Sequence, residues 1–504
     1  MCCNNILNKF AHTFQNLNPL KKLASQTFIY GIPSIAGRFL FFLLTYLYTR
    51  VFSTTDFGVN AELYAYSGFI TVLLAFGLET GFFRFQQDSK NPEKVYSTAL
   101  IFLTLTSLSF LALLMLFVNP LAAAMHYQGS EFYLQIFAFI LALDALGSLP
   151  FARLRALNKA KQFAVIKVIE IVVSFGLNIF YLIICRKAYL AGDGSFFASC
   201  YNPAIGVGYI FIANLAGSIV KLLLLAPQFV WIKEGFDKVL FGKMIRYSLP
   251  MVLIGFAGII NEMLDRMSLK YLLPGSIESN LSQLGIYGAC YKLSIVMTLF
   301  IQAFRYAAEP FFFAQKKEDK SRKIYADVLL YFTIFCVFIF LMVTMFMDYF
   351  QLFIGKDFRE GLVVVPILLL ANMFLGIYTN LSVWYKLTDR TMSGAYLSIA
   401  GAVLTIVLLF AFVPQFGYVG AAYATLICYI FMAVVSYILG QKYFPVPYNV
   451  LKVLGYIVLG VAVYAVQQKL VQNGVNANLL GVILMTLFAG VVYVLEKRNL
   501  ISEK

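Results

Sequence analysis

Glu262, Asp265 and Arg266 lie within Tyr247–Tyr271, which reads YSLPMVLIGFAGIINEMLDRMSLKY. That stretch exceeds the ~20 residues needed to cross a bilayer, yet it carries three charges in its outer half. A charge at membrane depth costs roughly 2.5–3.5 kcal/mol on insertion scales, so it faces a polar interior or a partner. The next apolar segment, Leu284–Tyr306, adds Lys292 at depth and Arg305 near its end. Earlier segments contribute Arg38, Glu79, Asp144, Lys167, Glu170 and Lys221, with Arg84 closing one of them. Two kinds of chemistry are open to such residues. Cations hold an anion, and arginine grips phosphate-type oxygens through its planar fork. Carboxylates take up a proton or sodium, for which Glu262, Asp265 and Glu79 are candidates.

Helical spacing sorts the charges, because residues three or four apart share a face. Glu262 can meet Arg266, Arg305 can meet Glu309, and Lys167 can meet Glu170. Such pairs are either neutralised structural contacts or parts of a site. Arg38, Lys221 and Lys292 have no acid at that spacing and are the better anion candidates. The alternative for each is snorkelling to the interface or an acid on another helix, and Glu79 and Asp144 are available for the latter. Arg84 and Arg305 either meet an anionic headgroup on entry or serve only to retain the loops that carry them inside the cell.

These residues need elements that place them at depth. Of the 504 residues, 61% are hydrophobic and 12% charged, against roughly 25% charged in soluble domains. The chain is therefore expected to be an all-α integral membrane protein. Apolar runs place about fourteen spans: near Thr27–Val51, Val59–Phe83, Val95–Val118, Phe132–Pro150, Ala164–Cys185, Val207–Trp231, the two charged segments above, Ile324–Met347, Leu362–Tyr385, Ser393–Val413, Tyr418–Gly440, Val450–Leu470 and Leu479–Leu495. The net charge of +15 is not a nucleic-acid signal, since the cations sit in short loops between spans. With the N-terminus inside, the inner loops hold about 26 Lys and Arg against about 5 outside. Both termini are thus expected on the cytoplasmic side. Seven scattered Cys and two His form no ligand spacing, so no metal site or disulfide framework is expected. No phosphate-loop motif G-x-x-x-x-G-K-[ST] occurs, which removes ATP hydrolysis by this chain. The loops are too short for a glycosyltransferase or polymerase domain, so no enzyme and no cofactor is expected.

An internal repeat organises the spans. Tyr30-Gly31-Ile32-Pro33 and Tyr247-Ser248-Leu249-Pro250 open two of them at an offset of 217 residues, and Phe83-Arg84-Phe85 and Phe304-Arg305-Tyr306 close two others at 221. Gly285-Ile286-Tyr287-Gly288-Ala289-Cys290-Tyr291 and Gly417-Tyr418-Val419-Gly420-Ala421-Ala422-Tyr423 share G-x-x-G-A-x-Y. Repeats of an even number of helices share one topology and place a substrate site between them. The expected layout is a leader over 1–26, six-helix lobes over 27–235 and 236–445, and two further helices over 446–504, with a cleft lined by spans 1, 2, 7 and 8.

The proline-containing first span with its internal Arg38, the loop Thr54-Thr55-Asp56-Phe57-Gly58, the run GLETGFFRF over 77–85 and the G-x-x-G-A-x-Y openings together resemble the Wzx-like polysaccharide flippases. These belong to the multidrug/oligosaccharidyl-lipid/polysaccharide (MOP) exporter superfamily. The resemblance covers roughly residues 20–495 and implies a MATE-like pair of lobes. It also implies movement of a polyprenyl-diphosphate-linked oligosaccharide to the outer leaflet of a bacterial inner membrane. The implied partners are that lipid-linked glycan and membrane lipids, with glycan polymerase and glycosyltransferases nearby. The diphosphate would then meet Arg38, Arg266 and Lys292, with Lys221, Arg84 and Arg305 as further cations, and a proton or sodium would drive export. A drug or cation exporter of the same superfamily is the alternative; it would want unpaired acids.

Overall fold

The structure, a computed structural model, describes residues 36–315, 321–388 and 390–501. The leader, the Tyr30–Pro33 segment, Lys316 and Lys317 lie outside them. The described residues are helical, without strands. Their helices are α1 (36–51), α2 (Thr54–Ala75), α3 (Leu78–Asp88), α4 (Pro92–Leu116), α5 (Glu131–Ala156), α6 (Ala160–Ile179), α7 (Gly208–Phe229), α8 (Lys238–Leu272), α9 (Ile277–Leu293), α10 (Ile295–Gln315), α11 (Ser321–Met345), α12 (Val364–Leu381), α13 (Thr391–Tyr443), α14 (Val450–Gln472) and α15 (Ala477–Ile501). Polar residues start several of them. Ser53, Asn91, Asp237 and Asn449 each accept a backbone N–H of the first turn, satisfying donors that have no partner inside the helix.

Eleven helices among the described residues are long and apolar enough to cross a membrane, or twelve if the bent pair α9–α10 is one span. The expected count of about fourteen is therefore not established by these helices. One difference has a physical origin. Helix α13 covers both the eleventh and twelfth expected spans, with a break at Gly417, where φ is 62° and ψ −146°. The first expected span lies partly outside the described residues, so α1 covers only its remainder.

Packing divides the chain into compact units Met1–Gly288 and Ala289–Lys504. The expected lobe boundary at 235/236 thus falls inside the first unit, because α8 packs along α2 and α3. In the second unit α12 lies against α13, and α14 lies against α11. Helix α11 is its core element, with 72% of its apolar window buried, whereas α15 is peripheral at 11%.

Two breaks carry the repeat into the backbone. Between α2 and α3, Phe76 and Gly77 take left-handed conformations with φ of 48° and 62°. Between α9 and α10 the chain bends by 47° at Ser294. Gly77 and Ser294 are separated by 217 residues, the offset of the Tyr-x-x-Pro repeat. Discontinuous helices are where transporters build their sites.

The motif glycines allow one close crossing within the first unit. A Cβ on Gly58 would overlap the carbonyl oxygen of Leu281, and one on Gly285 would overlap that of Thr54. Helices α2 and α9 therefore meet backbone to backbone where both begin, joined also by Thr54 Oγ1 to Ser282 Oγ at 2.7 Å. Neither neighbour can rotate away. Gly58→Val is expected to lower stability by about 3 kcal/mol, the upper end for overpacking. Gly176→Ala, which meets nothing within 4 Å, should be nearly silent. Aggregation midpoints of the detergent-purified variants check this.

Candidate functional site

Ion pairs concentrate in the first unit, where the sequence places its charges at depth. The deepest joins α2 to the last turn of α8. Glu62 and Lys270 are both fully buried, with Lys270 Nζ 2.9 Å from Glu62 Oε2. Tyr127 Oη donates to the same oxygen. Lys270 also donates to the Met125 carbonyl at 2.6 Å and lies 4.1 Å from the centre of the Tyr127 ring. Its ammonium thus has a carboxylate, a carbonyl and an aromatic face, the surroundings a buried cation needs.

A second cluster lies between α5, α6 and α7. Lys221 donates to Asp144 and, at 3.1 Å, to Glu170. Ser218 donates to Asp144 at 2.6 Å, and Lys167 to Glu170 at 2.7 Å. Two ammonium groups face two carboxylates, so the cluster is neutral. A third lies where α3, α4, α5 and α7 converge. Arg153 reaches both oxygens of Glu93 at 2.9 and 3.0 Å and Gln228 at 2.8 Å. Arg155 holds Glu79 at 2.6 Å.

The residues singled out by sequence fall differently. Arg38 is exposed on α1, next to Gly37, whose position faces Ile171. Arg266 is half-buried, with Nη1 2.8 Å from Met263 Sδ; Glu262 is exposed. Asp265 is buried, accepts the Tyr287 hydroxyl at 2.6 Å and receives the Arg266 backbone N–H at 2.8 Å. Lys292 is half-buried in the last turn of α9, two residues before the Ser294 bend, where Asn372 donates to Ser294 Oγ at 3.1 Å. Arg84 and Arg305 are exposed, and the side chain of Glu309 lies outside the described set. Lys221 and Glu79 both carry ion-pair partners on other helices. Sequence reasoning missed Glu62 and Lys270. Lys270 follows Arg266 by one helical turn, which is the available signal, but its partner Glu62 lies 208 positions away, beyond the reach of helical spacing.

Residues 23–315, more than half of the chain, match the family described as polysaccharide biosynthesis protein. The chain belongs to that family. No curated protein matches the sequence. Among solved structures, this polysaccharide biosynthesis protein is similar to the lipid II flippase MurJ in an inward closed conformation. The TM-score is 0.69 at 15% identity, over 94% of this chain and 100% of that one. An outward-facing multidrug resistance MATE transporter of the MOP superfamily gives 0.59 at 12% identity, over 85% and 96%. A MOP superfamily transporter from Pyrococcus furiosus gives 0.52 at 12% identity, over 83% and 95%. The fold is that of the MOP exporters, as the motifs led one to expect, and the protein is a multi-pass membrane protein.

Proposed function

We propose that this protein is a flippase that moves a polyprenyl-diphosphate-linked oligosaccharide from the inner to the outer leaflet of a bacterial cytoplasmic membrane. The observation that carries the reading is the polysaccharide biosynthesis match over residues 23–315 on a MurJ-type fold. In this reading Arg38, Arg266 and Lys292 hold the diphosphate while the glycan crosses. Arg84 and Arg305 meet the headgroup at the cytoplasmic side. Glycosyltransferases supply the substrate and a polymerase consumes it. A proton or sodium ion drives the cycle, with Asp265 and Glu262 as the acids concerned.

Drug export, suggested by the MATE neighbours, is the competing reading. Its cationic substrates call for acids without cations beside them. Here Glu62, Glu79, Glu93, Asp144 and Glu170 face lysine or arginine, whereas Asp265 accepts the Tyr287 hydroxyl; the predominance of paired acids favours the anionic substrate. The test is expression in a strain lacking its own glycan flippase, with drug sensitivity measured in parallel. Restored surface glycan with unchanged drug sensitivity is the expected result; drug resistance without glycan would favour the exporter.

The lysine and arginine asymmetry of the loops supports cytoplasmic termini. A cysteine at Ser195, between α6 and α7, should react with an impermeant thiol reagent in intact cells, and one at Asp319 should not. The opposite pattern would invert the topology.

A further inference from the structure

Helices α2–α3 and α8 run antiparallel and touch along their length, but their two ends are fastened differently. At one end Gly77 and Gly81 face Ser248, a contact without charge. Midway, Gly68 faces Ile259 and Gly255 faces Val72, again sterically. At the other end stands the Glu62–Lys270 pair, roofed by Tyr127 and Met125. Tyr66 and Tyr271 join their hydroxyls beside it at 3.2 Å. Asn280 at the start of α9 donates to the carbonyls of Lys270 and Leu273 at 3.0 and 2.9 Å.

We propose that the Glu62–Lys270 pair is a reversible latch that closes this end of the α2–α8 contact and must part for that end to open. The proposal rests on the transport reading, since only a protein that cycles needs such a device. A physical argument and the geometry of the pair point to a contact that opens. A buried ion pair adds little net stability over apolar residues of the same volume, but it is costly to break on one side. When the helices separate, both charges regain water, so an ionic seal opens more easily than an apolar seal of equal area. In addition, Glu62 is set among polar partners, with Lys270 and Tyr127 on one carboxylate oxygen and the paired Tyr66 and Tyr271 hydroxyls beside it. Each of these partners can be replaced by water when this end opens, so parting strands no buried polar group.

The test uses the full-length protein purified in detergent, without substrate, so its outcome does not depend on which molecule is transported. A single reporter cysteine is placed at each end in turn: Leu269→Cys beside the latch and Ser248→Cys at the other end, both positions being fully buried. Lys270→Met strands the Glu62 charge and should raise the labelling rate of the Leu269 reporter at least tenfold without raising that of the Ser248 reporter. Tyr127→Phe removes one donor, preserves the pair, and should give a smaller rise at the same end only. It carries the test if Lys270→Met does not accumulate. Equal rises at both ends, or no rise at either, would overturn the latch, because a merely structural pair loosens the whole contact or none of it. A latch that labels as expected in a protein that moves no glycan would instead count against the flippase reading alone.

Discussion

Arg38→Ala is expected to abolish surface-glycan export in the flippase-deficient strain, with Arg38→Lys retaining part of it. Arg38 is an exposed cation on an apolar helix, where an unused charge would be costly. A diphosphate at such a point is bound by charge first and by the bidentate fork second, which is why lysine should be intermediate. Lys292→Ala should also abolish export, since Lys292 sits two residues before the bend that separates α9 from α10. Losing one charge-assisted contact costs roughly 1.5–3 kcal/mol, a factor of about ten to a hundred in rate if it acts in the rate-limiting step. Membrane abundance must be measured for each variant. Arg266→Ala needs particular care, because Asp265 beside it is buried and hydrogen-bonded.

Lys221→Met is expected to act on folding rather than on transport. The substitution leaves Asp144 and Glu170 facing each other's surroundings without the ammonium that joins them. Breaking a buried pair on one side costs about 3–5 kcal/mol, and the lower end applies because Asp144 retains partial exposure and Glu170 keeps Lys167. Membrane abundance should fall severalfold and the aggregation midpoint should drop. Adding Asp144→Asn and Glu170→Gln removes the stranded charges and should recover most of the loss. A Lys221→Met protein that accumulates normally but exports nothing would put Lys221 back among the substrate contacts.

What the sequence disclosed, and what it did not, divides along the reach of local rules. The spans follow from apolar runs, and the 217-residue offset read from Tyr30 and Tyr247 reappears as the breaks at Gly77 and Ser294. Of the motif glycines, Gly58 and Gly285 allow one backbone crossing, while Gly77 and Gly417 take positive φ at helix breaks. The ion pairs were only partly legible. Lys167 and Glu170 are three apart and pair as helical spacing requires. The Lys270–Glu62 pair bridges 208 positions and Lys221–Asp144 bridges 77, distances over which no helical period carries information. Lys221 therefore looked unpaired in sequence although two acids on neighbouring helices meet it. Arg266 can meet Glu262 by helical spacing, and one of its contacts is with Met263 Sδ at 2.8 Å.

Transfer of a labelled polyprenyl-diphosphate oligosaccharide across proteoliposomes containing the purified protein tests the central claim most directly. The parent protein is expected to move the lipid-linked glycan to the opposite leaflet, and Arg38→Ala and Lys292→Ala, inserted to the same level, are expected not to. Equal transfer by the parent and both variants would contradict the cationic site, and no transfer by the parent under an imposed proton or sodium gradient would contradict the flippase itself.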